Sequence, residues 1–198
     1  MKKISIVFFS FFLLFQANGN TYNSNPELFI KELVEESISI LSDKNINDEE
    51  KAKFVEKIAL ENVDIEALSL YTLGELRKST EESVLIKYKS TFEKYFLKSL
   101  TSRLTDYSSS NFEIISSDKK NSNYTIVKTR IPKTDNKPEI KIDWRVYTKN
   151  PEKPLIRDLI VEGLSLARTQ KEEFASILSS NNNDINILIV KLQEFVKN

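Results

Sequence analysis

The residues best placed to do chemistry lie in one stretch, Ile156 to Thr169, which reads IRDLIVEGLSLART. Gly163-Leu164-Ser165, at the end of its apolar run, has the form of the first half of a nucleophile elbow. That motif, Gly-x-Ser-x-Gly, holds a serine on a sharp strand-to-helix turn, with glycines relieving the crowding around it. Here Ala167 stands in the place of the second glycine, and the chain has no histidine to serve as base. A serine–lysine pair would need a lysine one turn further on, where Thr169 stands. The same serine follows a glycine at the end of a strand pattern and precedes a helical one. That is the N-cap position, where its hydroxyl can take an otherwise unpaired backbone N–H, worth about 1 kcal/mol.

The carboxylates fare no better as catalysts. Asp158 and Glu162 are spaced i and i+4; on a strand they point to one face about 13 Å apart, at ~3.3 Å per residue. Two carboxylates acting on one bond stand roughly 5 to 9.5 Å apart. Asp48, Glu49 and Glu50 resemble a cation site until they are seen to open a helix, where acids favour the macrodipole. The absence of histidine and cysteine removes Ser-His and Cys-His catalysis, thiolate chemistry and nearly all zinc, copper and haem sites. No phosphate-cradling loop is possible with Gly74 and Gly163 as the only glycines after residue 19. The chain reads as a non-enzyme without a metal or cofactor.

The elements that must position these residues come in the order helices, strands, helices. Residues 1–19 read as a secretory signal: Lys2 and Lys3, a 12-residue apolar run from Ile4 to Phe15, then Ala17-Asn18-Gly19. Twelve helical residues cover about 18 Å, too short for a bilayer core of roughly 30 Å. The run is therefore not read as a membrane anchor, and no cysteine follows it to carry a lipid. Residues 20–198 then form a single domain. Without Lys2 and Lys3 it holds 27 basic and 29 acidic residues, a net charge of −2, which argues against nucleic acid as its partner.

Asn25 with Pro26 opens a first helix, Asn47 with Glu50 a second, and Asp64 a third that Gly74 stops. Ser79-Thr80-Glu81-Glu82 has the form of a capping box for the longest helix, about 80 to 105. Its stripe is Leu85, Tyr88, Phe92, Tyr95, Phe96, Ser99 and Leu100, and Lys87, Lys94 and Lys98 lie opposite as a solvated face. The period then becomes two. Strands are expected at 112–116, 124–131, 139–147 and 155–161, linked by the loops 132–138 and 148–154. In the third, Ile140, Ile142, Trp144 and Val146 alternate with Lys141, Asp143, Arg145 and Tyr147, giving one buried and one wet face. Helices over about 165–179 and 184–196 close the chain. The fold class is α+β: a four-stranded antiparallel meander with helices packed on one face. Such a face is either a closed core or parted around an apolar ligand.

Three groups of residues together resemble the MlaC family of periplasmic phospholipid-binding proteins, auxiliary components of ABC transport. One is Asp158-x-x-x-Glu162-Gly163-Leu164-Ser165 followed by Phe174-x-x-Ile177-Leu178. Another is Leu73-Gly74, then Lys78-Ser79-Thr80-Glu81-Glu82 with Tyr88, Phe92 and Phe96. The third is Asp143-Trp144-Arg145-Val146. The likeness covers about residues 25–196 and departs from the family at Lys153-Pro154-Leu155 and Arg157. It implies a cone-like fold with an apolar cavity, phospholipid as cargo rather than cofactor, and transfer between an outer-membrane lipoprotein complex and an inner-membrane ABC transporter complex. It places the chain, as a monomer, in the periplasm of a Gram-negative envelope. The other reading is a non-catalytic envelope interaction or chaperone domain with a closed core. A hydrolase on an NTF2-like cone would need acid–base groups the chain lacks.

Facing, not motif identity, selects the residues expected to line a lipid cavity. From the strands these are Ile126, Ile142, Trp144, Val146, Leu159 and Val161. From the helices they are Leu70, Leu73, Tyr88, Phe92, Phe96 and Leu100. Leu164 follows the turn at the mouth.

Overall fold

The structure, a computed structural model, describes residues 22–104, 111–135 and 138–197. The expected secretory segment, 1–19, lies outside the described residues. Helices α1 (Pro26–Ser42), α2 (Asp48–Asn62), α3 (Ile65–Thr72) and α4 (Glu82–Leu104) precede strands β1 (Glu113–Asn121), β2 (Tyr124–Ile131), β3 (Ile140–Tyr147), β4 (Leu155–Val161) and β5 (Leu164–Ser165). Helices α5 (Leu166–Ser179) and α6 (Ile185–Lys197) follow. The strands form one antiparallel sheet in the order β1-β2-β3-β4-β5. The fold is the α+β meander expected, with a fifth strand that the sequence pattern does not show. At two residues, β5 is too short to display a period.

The caps explain where the helices start. Asn25 Oδ1 accepts from the N–H groups of Glu27 and Leu28, with Pro26 at the first helical position. Asn47 and Glu50 form a reciprocal capping box, and Asp64 accepts from Ala67 N. Gly74 sits at φ +59°, a left-handed position that costs glycine nothing, and a 3-10 turn Gly74–Lys78 follows it. That turn displaces the expected box at Ser79. Thr80 Oγ1 donates instead to the Leu76 carbonyl at 2.6 Å, and α4 begins two residues later than the sequence predicts.

The buried residues fall into two clusters. In the sheet core, Phe29, Ile30 and Leu33 of α1 and Ile58 of α2 pack on Val127, Val146 and Ile156. The helical core joins Ile65, Leu73, Tyr88, Phe92, Phe174, Leu178, Ile185, Leu188, Ile189 and Leu192. Phe92 is its aromatic centre, with Tyr88, Tyr95, Phe96 and Phe174 at ring-centroid distances of 6.0 to 6.3 Å. Val63, between α2 and α3, packs against both clusters.

Candidate functional site: an apolar sheet face

Directly opposed residues of antiparallel strands share a face, so the register defines rows across the sheet. One row runs Leu164–Val161–Ile142–Thr129–Ile114. The next holds Leu159–Trp144–Val127, and the third Ile156–Val146–Thr125. Cover thins from the third row to the first on the β4 side. Ile156 and Val146 are buried; Leu159 and Trp144 are half-buried against the sheet core. Ile142 and Val161 are half-buried and part of neither cluster, and Leu164 is 59% exposed. The result is an apolar surface, wet at the β4–β5 end, continuous with a packed core at the other.

The polar groups of Thr129 and Trp144 on this face are satisfied. Thr129, fully buried, donates to the Ile142 carbonyl at 2.9 Å and accepts from Trp144 Nε1 at 3.0 Å. The indole plane is thereby fixed on the face without an unpaired N–H. At the open end Glu162 and Gly163 both take positive φ, 50° and 82°, as a two-residue hairpin turn twisted with its strands requires. Glu162 is held there by a bond from its N–H to the Lys141 carbonyl and by its own carboxylate, which accepts from Lys141 N. The strand ends at Val161. Glu162 therefore does not share a strand face with Asp158, although the i, i+4 spacing predicts one face for both.

Asp158 has another use, which the spacing did not reveal. It is 4% exposed and faces the start of α5. Its Oδ1 accepts from Ala167 N at 3.0 Å and its Oδ2 from Ser165 Oγ at 2.7 Å. Ser165 Oγ in turn accepts from Arg168 N at 3.1 Å. Serine is the expected N-cap, and the aspartate is a second cap reaching across from β4.

The cavity candidates separate into three groups. Ile142, Trp144, Val146, Leu159, Val161 and Leu164 share the apolar face. Ile126 lies on the other face, between Asp118 and Arg145 in register, because it follows the buried Thr125 by one residue. Leu73, Tyr88 and Phe92 are inside the helical core, Phe96 packs against it, and Leu70 and Leu100 are half-buried. The α4 aromatics thus pack among helices rather than over the sheet. Among the described residues there is no group of acidic side chains able to hold a metal ion, and no helix long and apolar enough to cross a membrane.

The family model described as MlaC protein matches residues 31–194. The chain belongs to the MlaC family. A solved structure, the phospholipid-binding protein from Ralstonia solanacearum in complex with a phospholipid, matches with a TM-score of 0.69. Sequence identity is 16%, over 85% of this chain and 94% of that one, so the likeness is one of fold. A comparison with curated proteins gave no match. In this MlaC-family chain Arg157, one of the departures noted above, occupies a β-bulge: the pairing of β3 with β4 slips between Arg145 and Val146. Its guanidinium lies 3.4 Å from the Tyr147 ring centroid, bonds Asp64 and donates to Tyr124 OH at 2.8 Å.

Proposed function

We propose that this chain is a non-catalytic periplasmic carrier of phospholipid, with acyl chains against the sheet face and the headgroup toward solvent. The observation that carries the reading is the row Leu164–Val161–Ile142, an apolar surface only partly covered beside a packed core. Membership of the MlaC family and a fold shared with a phospholipid-bound protein support it. The physics is undemanding. Each methylene moved from water gains about 0.8 kcal/mol, so acyl chains bind with little polar recognition. Cargo would pass between an outer-membrane lipoprotein complex and an inner-membrane ABC transporter complex, the carrier travelling as a monomer after removal of residues 1–19.

Native mass spectrometry and solvent extraction of the purified protein test this. Phospholipid should be present, or be taken up from phospholipid vesicles. Val161→Glu should abolish retention while leaving the far-UV circular dichroism unchanged, because Val161 lies outside both cores. Protein that carries no lipid and takes none from vesicles sinks the carrier reading. Unchanged retention in Val161→Glu assigns cargo to another surface.

A further inference from the structure

Three consecutive residues of β4 hold the starts of two helices. The Ile156 carbonyl accepts from Asp64 N at 2.9 Å, and Ile156 forms a parallel bridge with Val63. Arg157 Nε and Nη2 reach Asp64 Oδ2 at 2.8 and 2.7 Å. Asp158 takes Ser165 and Ala167 at the start of α5. Asp64 is itself the N-cap of α3, with its Oδ1 on Ala67 N. The bulge leaves Arg157 without a partner on β3 and brings Asp158 to the same face, that of Arg145 and Tyr147. The Arg157 side chain lies over Tyr147 and Tyr124 of the sheet and reaches from there to Asp64 at the start of α3. The two buried clusters share only Val63 as a packed neighbour among the described residues. The polar contacts of residues 156–158 therefore add a directional link between the two cores, beside the packing of α2 on α4 and of α5 on β4.

We propose that the Asp64–Arg157 pair is a clasp that sets how readily the helical core separates from the sheet core, and hence how fast cargo enters and leaves. The second half of this statement rests on the carrier reading; the first does not. The pair is built to be stiff. A guanidinium fork on a single carboxylate, stacked on Tyr147 and bonded to Tyr124, fixes both orientation and distance. It is also open to water, with the two side chains 25% and 16% exposed, so it can break without stranding a charge in a dry interior.

Asp64→Asn isolates the clasp, because asparagine caps a helix as well as aspartate and keeps the bond to Ala67 N. Arg157→Lys is the second variant: it keeps the charge but loses the fork and the stacking. Hydrogen exchange on lipid-free protein should show the Asp64 amide and the first turn of α5 opening about tenfold faster in both variants, the change that about 1.4 kcal/mol produces. The amides of Val127 and Leu188, one in each core, should exchange as in the parent. Transfer of phospholipid from loaded protein to vesicles of phosphatidylethanolamine and phosphatidylglycerol should speed up by a similar factor, with the amount retained at equilibrium unchanged. Exchange that rises uniformly over both cores, or does not rise at all, overturns the clasp. Local opening as expected, in a protein that takes up no phospholipid, leaves the clasp standing and removes the carrier. Local opening with an unchanged transfer rate overturns the link to cargo exchange.

Discussion

Tyr88 shows how far a single residue can be argued from its contacts. It is fully buried, and its hydroxyl lies 2.8 Å from Thr72 Oγ1. Thr72 has one proton and gives it to the Ser69 carbonyl at 2.7 Å, so the tyrosine is the donor of the pair. Burial, which disfavours the charged phenolate, pushes the phenol well above its ordinary range. The folded state thus keeps a proton that the unfolded chain releases above pH ~10. The sign follows: this stability is fully present below that pH and is lost as pH rises further. In urea titrations, Tyr88→Phe should cost about 1 kcal/mol near pH 7 through the missing hydrogen bond, and its deficit should shrink toward about pH 11. A deficit that stays constant with pH would deny the phenol its part in alkaline unfolding.

At the scale of elements, the junction of β4, β5 and α5 carries most of the local logic. Removing the Ser165 hydroxyl takes away one bond to Arg168 N and one to Asp158. Ser165→Ala should lower stability by about 1–2 kcal/mol, read from the urea midpoint, and leave lipid retention intact; a loss of retention would make the hydroxyl part of the site. The sequence made much of this visible. Gly163 before Ser165 spoke for a turn and a cap, alternation in Ile140–Val146 assigned the faces of β3, and the caps at Asn25, Asn47 and Asp64 placed three helix starts. What it hid has physical reasons. Ile126 sits in a strand where Thr125, Val127 and Thr129 are the buried set, and threonine is not read as an inward residue unless its hydroxyl is known to find a partner, as Thr129 finds Ile142. Asp158 caps a helix that begins eight residues later, a contact made by the return of the chain and not by any local spacing. Arg157 meets Asp64 across 93 residues of sequence, and the bulge that puts Asp158 on the same face leaves no mark on a pattern of period two.

At the scale of the whole molecule, two cores with a shared edge explain why a chain of ordinary composition leaves part of its apolar surface unused. The α4 aromatics pack with residues of α3, α5 and α6 in the helical core, and α1 and α2 cover only part of the sheet, so the β4–β5 end is only partly covered. One consequence concerns how the molecule can be watched. Trp144 is the chain's sole tryptophan, and it stands half-buried on the partly covered face with its N–H pinned to Thr129. Its fluorescence is therefore a built-in gauge of occupancy, free of background from any second indole. Acyl chains displacing water from that ring should move the emission to shorter wavelength in proportion to the fraction loaded, and the shift should vanish in Val161→Glu. An emission indifferent to phospholipid vesicles would mean that cargo, if carried, never touches this face.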